Sequence, residues 1–142
     1  MTTGKSKNKQ DIETIIPHSG KMCLIEQVDW WDIDNIACRT NSHRDTQNPL
    51  RLNGELSAIH LLEYGAQAIA IHGGLLSKAK IPGFLAAIRN TKLHIARIDT
   101  LNSEIIINAK AEIKTEKGAV YEFVILADDK LLVEARATVI NS

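Results

Sequence analysis

Hydrophobic positions along this chain follow two regimes. Between Leu56 and Leu76 apolar residues recur on every side of a helical wheel. Ile59, Leu62, Ala66 and Ile69 form one row, and Leu61, Ala68 and Leu75 another. That all-round pattern predicts a buried helix over 56–76, and Gly73-Gly74 reads as its terminator. From Gly83 onward the period shortens to two, as in Ile105, Ile107, Ala109, Ala111 and Ile113. This predicts strands over 83–96, 104–114, 120–127 and 131–140, with turns at Lys117-Gly118 and Asp128-Asp129. Ahead of the helix, 11–16 reads as a short amphipathic helix stopped by Pro17. Residues 22–32 and 36–40 read as two strands joined at Asp34-Asn35. Residues 41–54 form a long irregular loop carrying His43, and such loops tend to be functional. Residues 1–10 are polar and without period. They are expected to form a disordered tail, with 11–142 a single domain.

A helix apolar on every side needs more than one covering surface. A strongly curved antiparallel sheet wrapped around one long central helix meets that need. The expected class is α+β, in the arrangement called a hotdog fold. Five to six strands leave one side uncovered, so a homodimer is expected to close it and to hide open sheet edges.

Composition narrows the function classes. Lys plus Arg number 17 and Asp plus Glu 17, a formal charge of zero, so nothing global points to nucleic acid or to a membrane surface. No apolar window is long enough to span a bilayer, and Glu63, His60, Gln67 and His72 make the central helix a poor span. The opening residues lack the apolar segment of an export signal, which makes a cytoplasmic protein the expectation. Cys23 and Cys38 are then expected as buried free thiols. With no Cys-x-x-Cys or His-x-x-x-His spacing and no glycine-rich phosphate loop, neither a metal nor a cofactor is expected.

The chemistry concentrates on Glu63, the one charged residue of the central helix. It shares a face with His60 and Gln67, at offsets of three and four. A carboxylate in such surroundings needs a polar partner or a raised pKa, the condition of a catalytic acid or base. The rival reading is a structural carboxylate paired with an arginine. His43, on the loop that delivers the chain to the helix, is the candidate base; a solvent-exposed loop histidine is its rival. Gly54 stands just ahead of the helix, where backbone amides are unsatisfied. Imidazole, carboxylate and amides together suit removal of a proton beside a thioester carbonyl and protonation of a departing hydroxyl. His60 is read equally as a partner of Glu63 or as filling of the polar strip. His18 is expected to be a structural hydrogen-bonding residue of its turn, with a site-lining role as the alternative, His72 a cation at the helix end, and His94 a surface or groove residue. Lys78, Lys80, Arg89, Lys92 and Arg97 concentrate charge just after the helix, and Arg89, Lys92 and Arg97 are either the solvated side of a strand or a basic rim for an acidic partner.

These residues carry a resemblance. Leu62-Glu63-Tyr64-Gly65-Ala66-Gln67-Ala68 resembles the Glu-x-x-Ala-Gln helix motif of the 3-hydroxyacyl-acyl carrier protein dehydratases. Ile16-Pro17-His18 followed by Met22-Cys23-Leu24-Ile25-Glu26 is similar to their opening signature, Leu-Pro-His and a hydrophobic strand. Ser42-His43-Arg44-Asp45 through Asn48-Pro49-Leu50-Arg51 and Gly54 resembles most closely a divergent branch encoded with aryl polyene and related pathways. The resemblance implies a hotdog dehydratase that removes water from a 3-hydroxyacyl thioester to give a trans-2-enoyl product. His43 would be the base, Glu63 the acid from the partner subunit, and Gly54, Gln67 and His60 would line the substrate. The implied partner is an acyl carrier protein bearing its chain on phosphopantetheine, with a homodimer or a hetero-complex with another dehydratase as the assembly. The common members follow their histidine with Phe-Pro-Gly; this chain does not, and its Glu63 lies further from the histidine than theirs. An acyl thioesterase on the same fold and a non-catalytic partner of an active dehydratase are the rival functions.

Overall fold

The structure, a computed structural model, describes residues 4–77 and 83–141. The first three residues of the expected tail, Lys78, Lys80 and the break at Pro82 lie outside them. Seven strands form one antiparallel sheet: β1 (Lys7–Asn8), β2 (Gln27–Trp31), β3 (Asn35–Thr40), β4 (Gly83–Leu93), β5 (Ile105–Thr115), β6 (Gly118–Ala127) and β7 (Lys130–Asn141). Their spatial order is β1-β2-β3-β5-β6-β7-β4. Asp128 and Asp129 both adopt positive φ, 51° and 61°, which is what a two-residue hairpin loop between β6 and β7 requires. Register shifts in β2, β4 and β5 bend the sheet.

Alternation works as expected along β5, where Ile105, Ile107, Ala109 and Ala111 point inward. With Phe123, Ile125 and Val133 they receive Leu61, Tyr64, Ala68 and Ile71 of helix α2 (Leu61–Leu76). Each fully buried Leu, Ile, Val or Phe among them contributes about 1.5–3 kcal/mol. Close approach depends on glycine at two points. A Cβ on Gly65 would sit 2.3 Å from the Phe123 ring, and one on Gly74 would sit 2.3 Å from Cγ2 of Ile15. Gly73-Gly74 is therefore part of the helix and not its terminator: α2 continues to Leu76.

Three further expectations are corrected. The helix starts through a 3-10 turn, Ala58–His60, with Ser57 as its cap. It is not buried all round: Ile59 is 47% exposed and Ala70 and Gly73 are open, while Leu62, Glu63 and Ala66 are half-buried. The sheet covers one side and leaves this strip bare in the single chain. The polar start is also ordered from Gly4. Lys7–Asn8 pairs with β2, Gly4 bonds the Trp31 carbonyl, and Asn8 closes a capping box with Asp11 on helix α1 (Lys9–Glu13). Cys23 and Cys38 are buried free thiols.

Candidate active site

Glu63 lies in the first turn of α2, on the edge of the bare strip. Its side chain is 38% exposed, not sealed from water. Helical spacing sets Gln67 one turn further on, and Gln67 is almost wholly buried. The segment after α1 wraps over that amide. Gly20, at φ 59°, opens a 3-10 turn over Gly20–Met22, and the chain then runs past the helix. Leu24 N–H donates to Gln67 Oε1 at 2.9 Å, and Gln67 Nε2 donates to the Met22 carbonyl at 2.8 Å. With one backbone donor and one backbone acceptor engaged, the amide can face only one way. Its nitrogen therefore also points at Glu63 Oε1, 3.3 Å away.

The same wrap carries His18 to the carboxylate. His18 Nε2 is 3.6 Å from Glu63 Oε1, with the imidazole 34% exposed, while its Nδ1 is buried without a hydrogen-bond partner among the described residues. His18 is thus an imidazole beside Glu63, which favours the site-lining alternative over the structural reading. The signal was present: Gln67 is a buried amide one turn from a carboxylate, and the Pro17-His18 signature is the segment that satisfies it. No Arg or Lys pairs with Glu63 among the described residues.

His43 is placed elsewhere within the chain. Its ring is 0% exposed, with Nε2 3.1 Å from the Leu101 carbonyl and the Ser103 backbone also against it. Burial is the main cause that pushes its pKa below the ordinary histidine value, and the Leu101 carbonyl opposes it. Arg51 closes the loop around it by donating to the carbonyls of Asp45, Gly54 and His43. Tyr64, also fully buried, ties the loop to the helix through Ser42 and Asn48.

Gly54 is a turn residue. With Asn53 at φ 53° and Gly54 at φ 78°, the chain reverses between Leu52 and Glu55, which bond each other. The amides expected to be free near the helix start are occupied. Leu56 N–H goes to Asp99, Ala58 N–H to the Ala96 carbonyl and Ile59 N–H to Ser57 Oγ. His60 is half-buried and makes no ion pair with Glu63. His72 is not an end-of-helix cation. It is fully buried between the Tyr121 hydroxyl, 2.5 Å from Nδ1, and the Asp32 carbonyl, 2.8 Å from Nε2, and burial holds its pKa low. Of the basic candidates, Arg97 is bound to Asp99 and Glu55, and Lys92 reaches Glu134, as does the half-exposed His94. Among the described residues no group of three or more His, Cys, Asp and Glu could hold a metal ion. No described helix is long and apolar enough to cross a membrane.

Known proteins resemble this chain in family and in fold. The profile of the ApeP-like family, described as ApeP dehydratase, matches residues 10–142. No curated protein sequence matches the chain. Among solved structures, the dehydratase heterocomplex ApeI:P from Xenorhabdus doucetiae superposes with a TM-score of 0.81 at 25% identity, covering 92% of this chain and 90% of that one. A mutant of thioesterase PA1618 from Pseudomonas aeruginosa gives a TM-score of 0.66 at 13% identity over 96% of each chain. Zebra fish thioesterase superfamily member 2 gives 0.66 at 16% identity over 94% of each. At such identities the two thioesterases speak for the fold alone. The α+β hotdog expected from the helix and strand pattern is the fold of this chain.

Proposed function

Because the chain belongs to the ApeP-like dehydratase family, we propose that it removes water from a 3-hydroxyacyl thioester to give the trans-2-enoyl thioester. The observation that carries this reading is the convergence of His18 Nε2 and Gln67 Nε2 on one oxygen of a half-exposed Glu63. Dehydration beside a thioester requires a group to take the α-proton and a group to protonate the leaving hydroxyl. Glu63, its second oxygen open, lies where an acyl chain laid along the bare strip of Ile59, Leu62 and Ala66 would present those atoms. His18 replaces His43 as the imidazole of the proposed site, since a ring with no exposed surface in one chain gains none when a partner is added. The substrate is carried by an acyl carrier protein on its phosphopantetheine arm. The bare helix strip and the unpaired β4 edge support a two-chain assembly, either a homodimer or a hetero-complex with a second dehydratase.

Mass spectrometry of a 3-hydroxyacyl thioester on a carrier protein tests the proposal. Loss of one water from the acyl group is expected. Release of the free 3-hydroxy acid would replace the reading with a thioesterase, and turnover only with an added second dehydratase would make the chain a partner subunit.

A further inference from the structure

Two atoms of His18 decide how protons move at this site. Nε2 lies 3.6 Å from Glu63 Oε1, and Nδ1 is buried with no partner among the described residues. A neutral imidazole carries one N–H and one lone pair, so three protonation states compete. A proton on Nδ1 leaves a buried donor unpaired and turns the Nε2 lone pair toward the carboxylate. The imidazolium buries the same unpaired donor. The Nε2–H tautomer instead aims its proton at Glu63 and leaves only a bare acceptor inside. Folded proteins tolerate that better than an orphaned N–H. In this state His18 offers a substrate no reachable lone pair.

Gln67 adds a second N–H to the same oxygen, its orientation set by Leu24 N–H and the Met22 carbonyl. Both nitrogens face Oε1, Gln67 as a hydrogen-bond donor at 3.3 Å and His18 at 3.6 Å. Oε2 of Glu63 has no hydrogen bond or ion pair among the described residues. Resting on the dehydratase reading of this site, we infer that Glu63 carries the proton in both halves of the elimination, and that His18 is a positioning residue whose Nε2 faces the carboxylate 3.6 Å away. Oε2 takes the α-proton as the Cα–H bond breaks, and that electron pair forms the double bond to Cβ. The Cβ–O bond breaks, and Oε2 returns the same proton to the departing oxygen. One water and the enoyl thioester result, and Glu63 is again a carboxylate. A single oxygen serving both atoms requires the α-hydrogen and hydroxyl on one face of the substrate.

Long-range proton–nitrogen NMR on the full-length ¹⁵N-labelled protein at neutral pH reads the tautomer directly. An unprotonated Nδ1 and a protonated Nε2 in His18 are expected; a protonated Nδ1 overturns the inference. Turnover of the same thioester supplies a second reading. In His18→Gln the amide nitrogen reaches the former place of Nε2 and is expected to keep more than about a tenth of kcat/KM, one hydrogen bond's worth of change. His18→Asn, whose nitrogen falls short, and His18→Ala are expected to lose roughly tenfold more. A folded His18→Gln as inactive as His18→Ala identifies His18 as the base and sinks the positioning role. A wild-type protein that removes no water defeats the dehydratase reading, and the NMR result still decides the state of His18.

Discussion

His18 and His43 both sit on loops that precede the long helix, yet they end in opposite environments. His18 is one-third exposed and faces a carboxylate; His43 has no exposed surface and faces a backbone carbonyl. What separates them is how each loop satisfies its own polar groups. The His18 segment spends its backbone on the Gln67 amide and leaves the ring at the edge of the bare helix strip. The His43 loop is folded in on itself by the Arg51 guanidinium, whose planar fork reaches three carbonyls, and is tied down by Tyr64. A histidine in a long loop before a helix is therefore not by that fact an exposed one.

The contrast can be broken most severely at Glu63. Glu63→Gln keeps the size and removes the proton-carrying oxygen. It is expected to lower kcat/KM at least about 10³-fold, roughly 4 kcal/mol of barrier, with an unchanged melting profile. Steady-state turnover with a parallel thermal melt checks both halves. On the sealed side, His43→Ala removes a buried ring and leaves the Leu101 carbonyl without that partner. Urea denaturation is expected to show a loss of about 1–3 kcal/mol, with kcat/KM of the folded protein held within roughly threefold.

The pH dependence of stability sharpens the comparison. Burial depresses the pKa of His43 and of His72 in the folded chain below the ordinary value of 6.5. The unfolded chain then binds more protons as pH drops below that value. Stability is full above it, falls as pH is lowered, and levels off once the folded pKa values are passed. Urea midpoints between pH 7 and pH 5 are expected to decline, and His72→Gln to flatten the slope. A flat wild-type profile contradicts the sealed, neutral assignment. The smallest effect is expected at Arg51→Lys, which keeps the charge but loses the three-way fork. It is expected to lower stability by about 0.5–1.5 kcal/mol and to speed amide exchange in 43–54.

Much of the architecture was legible because each element obeyed one period. The alternation from Ile105 to Ala111 and the Asp128-Asp129 turn are local signals that local physics honours. Gly73-Gly74 misled because its role is a tertiary contact, Gly74 against Ile15, invisible to neighbours in sequence. The polar start misled similarly: Gly4 and Lys7–Asn8 gain order from β2, not from their own composition. Of the candidate site, Glu63 and Gln67 were legible from helical spacing. Which imidazole meets them was not, since His18 and His43 both reach the helix through irregular backbone. That choice rests on long-range hydrogen bonds to Gln67 and from Arg51.

The central claim is that the imidazole serving Glu63 is His18. Turnover of one 3-hydroxyacyl thioester by His18→Ala and His43→Ala, measured side by side on folded protein, tests it most directly. A large loss in the first with near-normal activity in the second is the expected result. An active His18→Ala beside a folded but dead His43→Ala would contradict it.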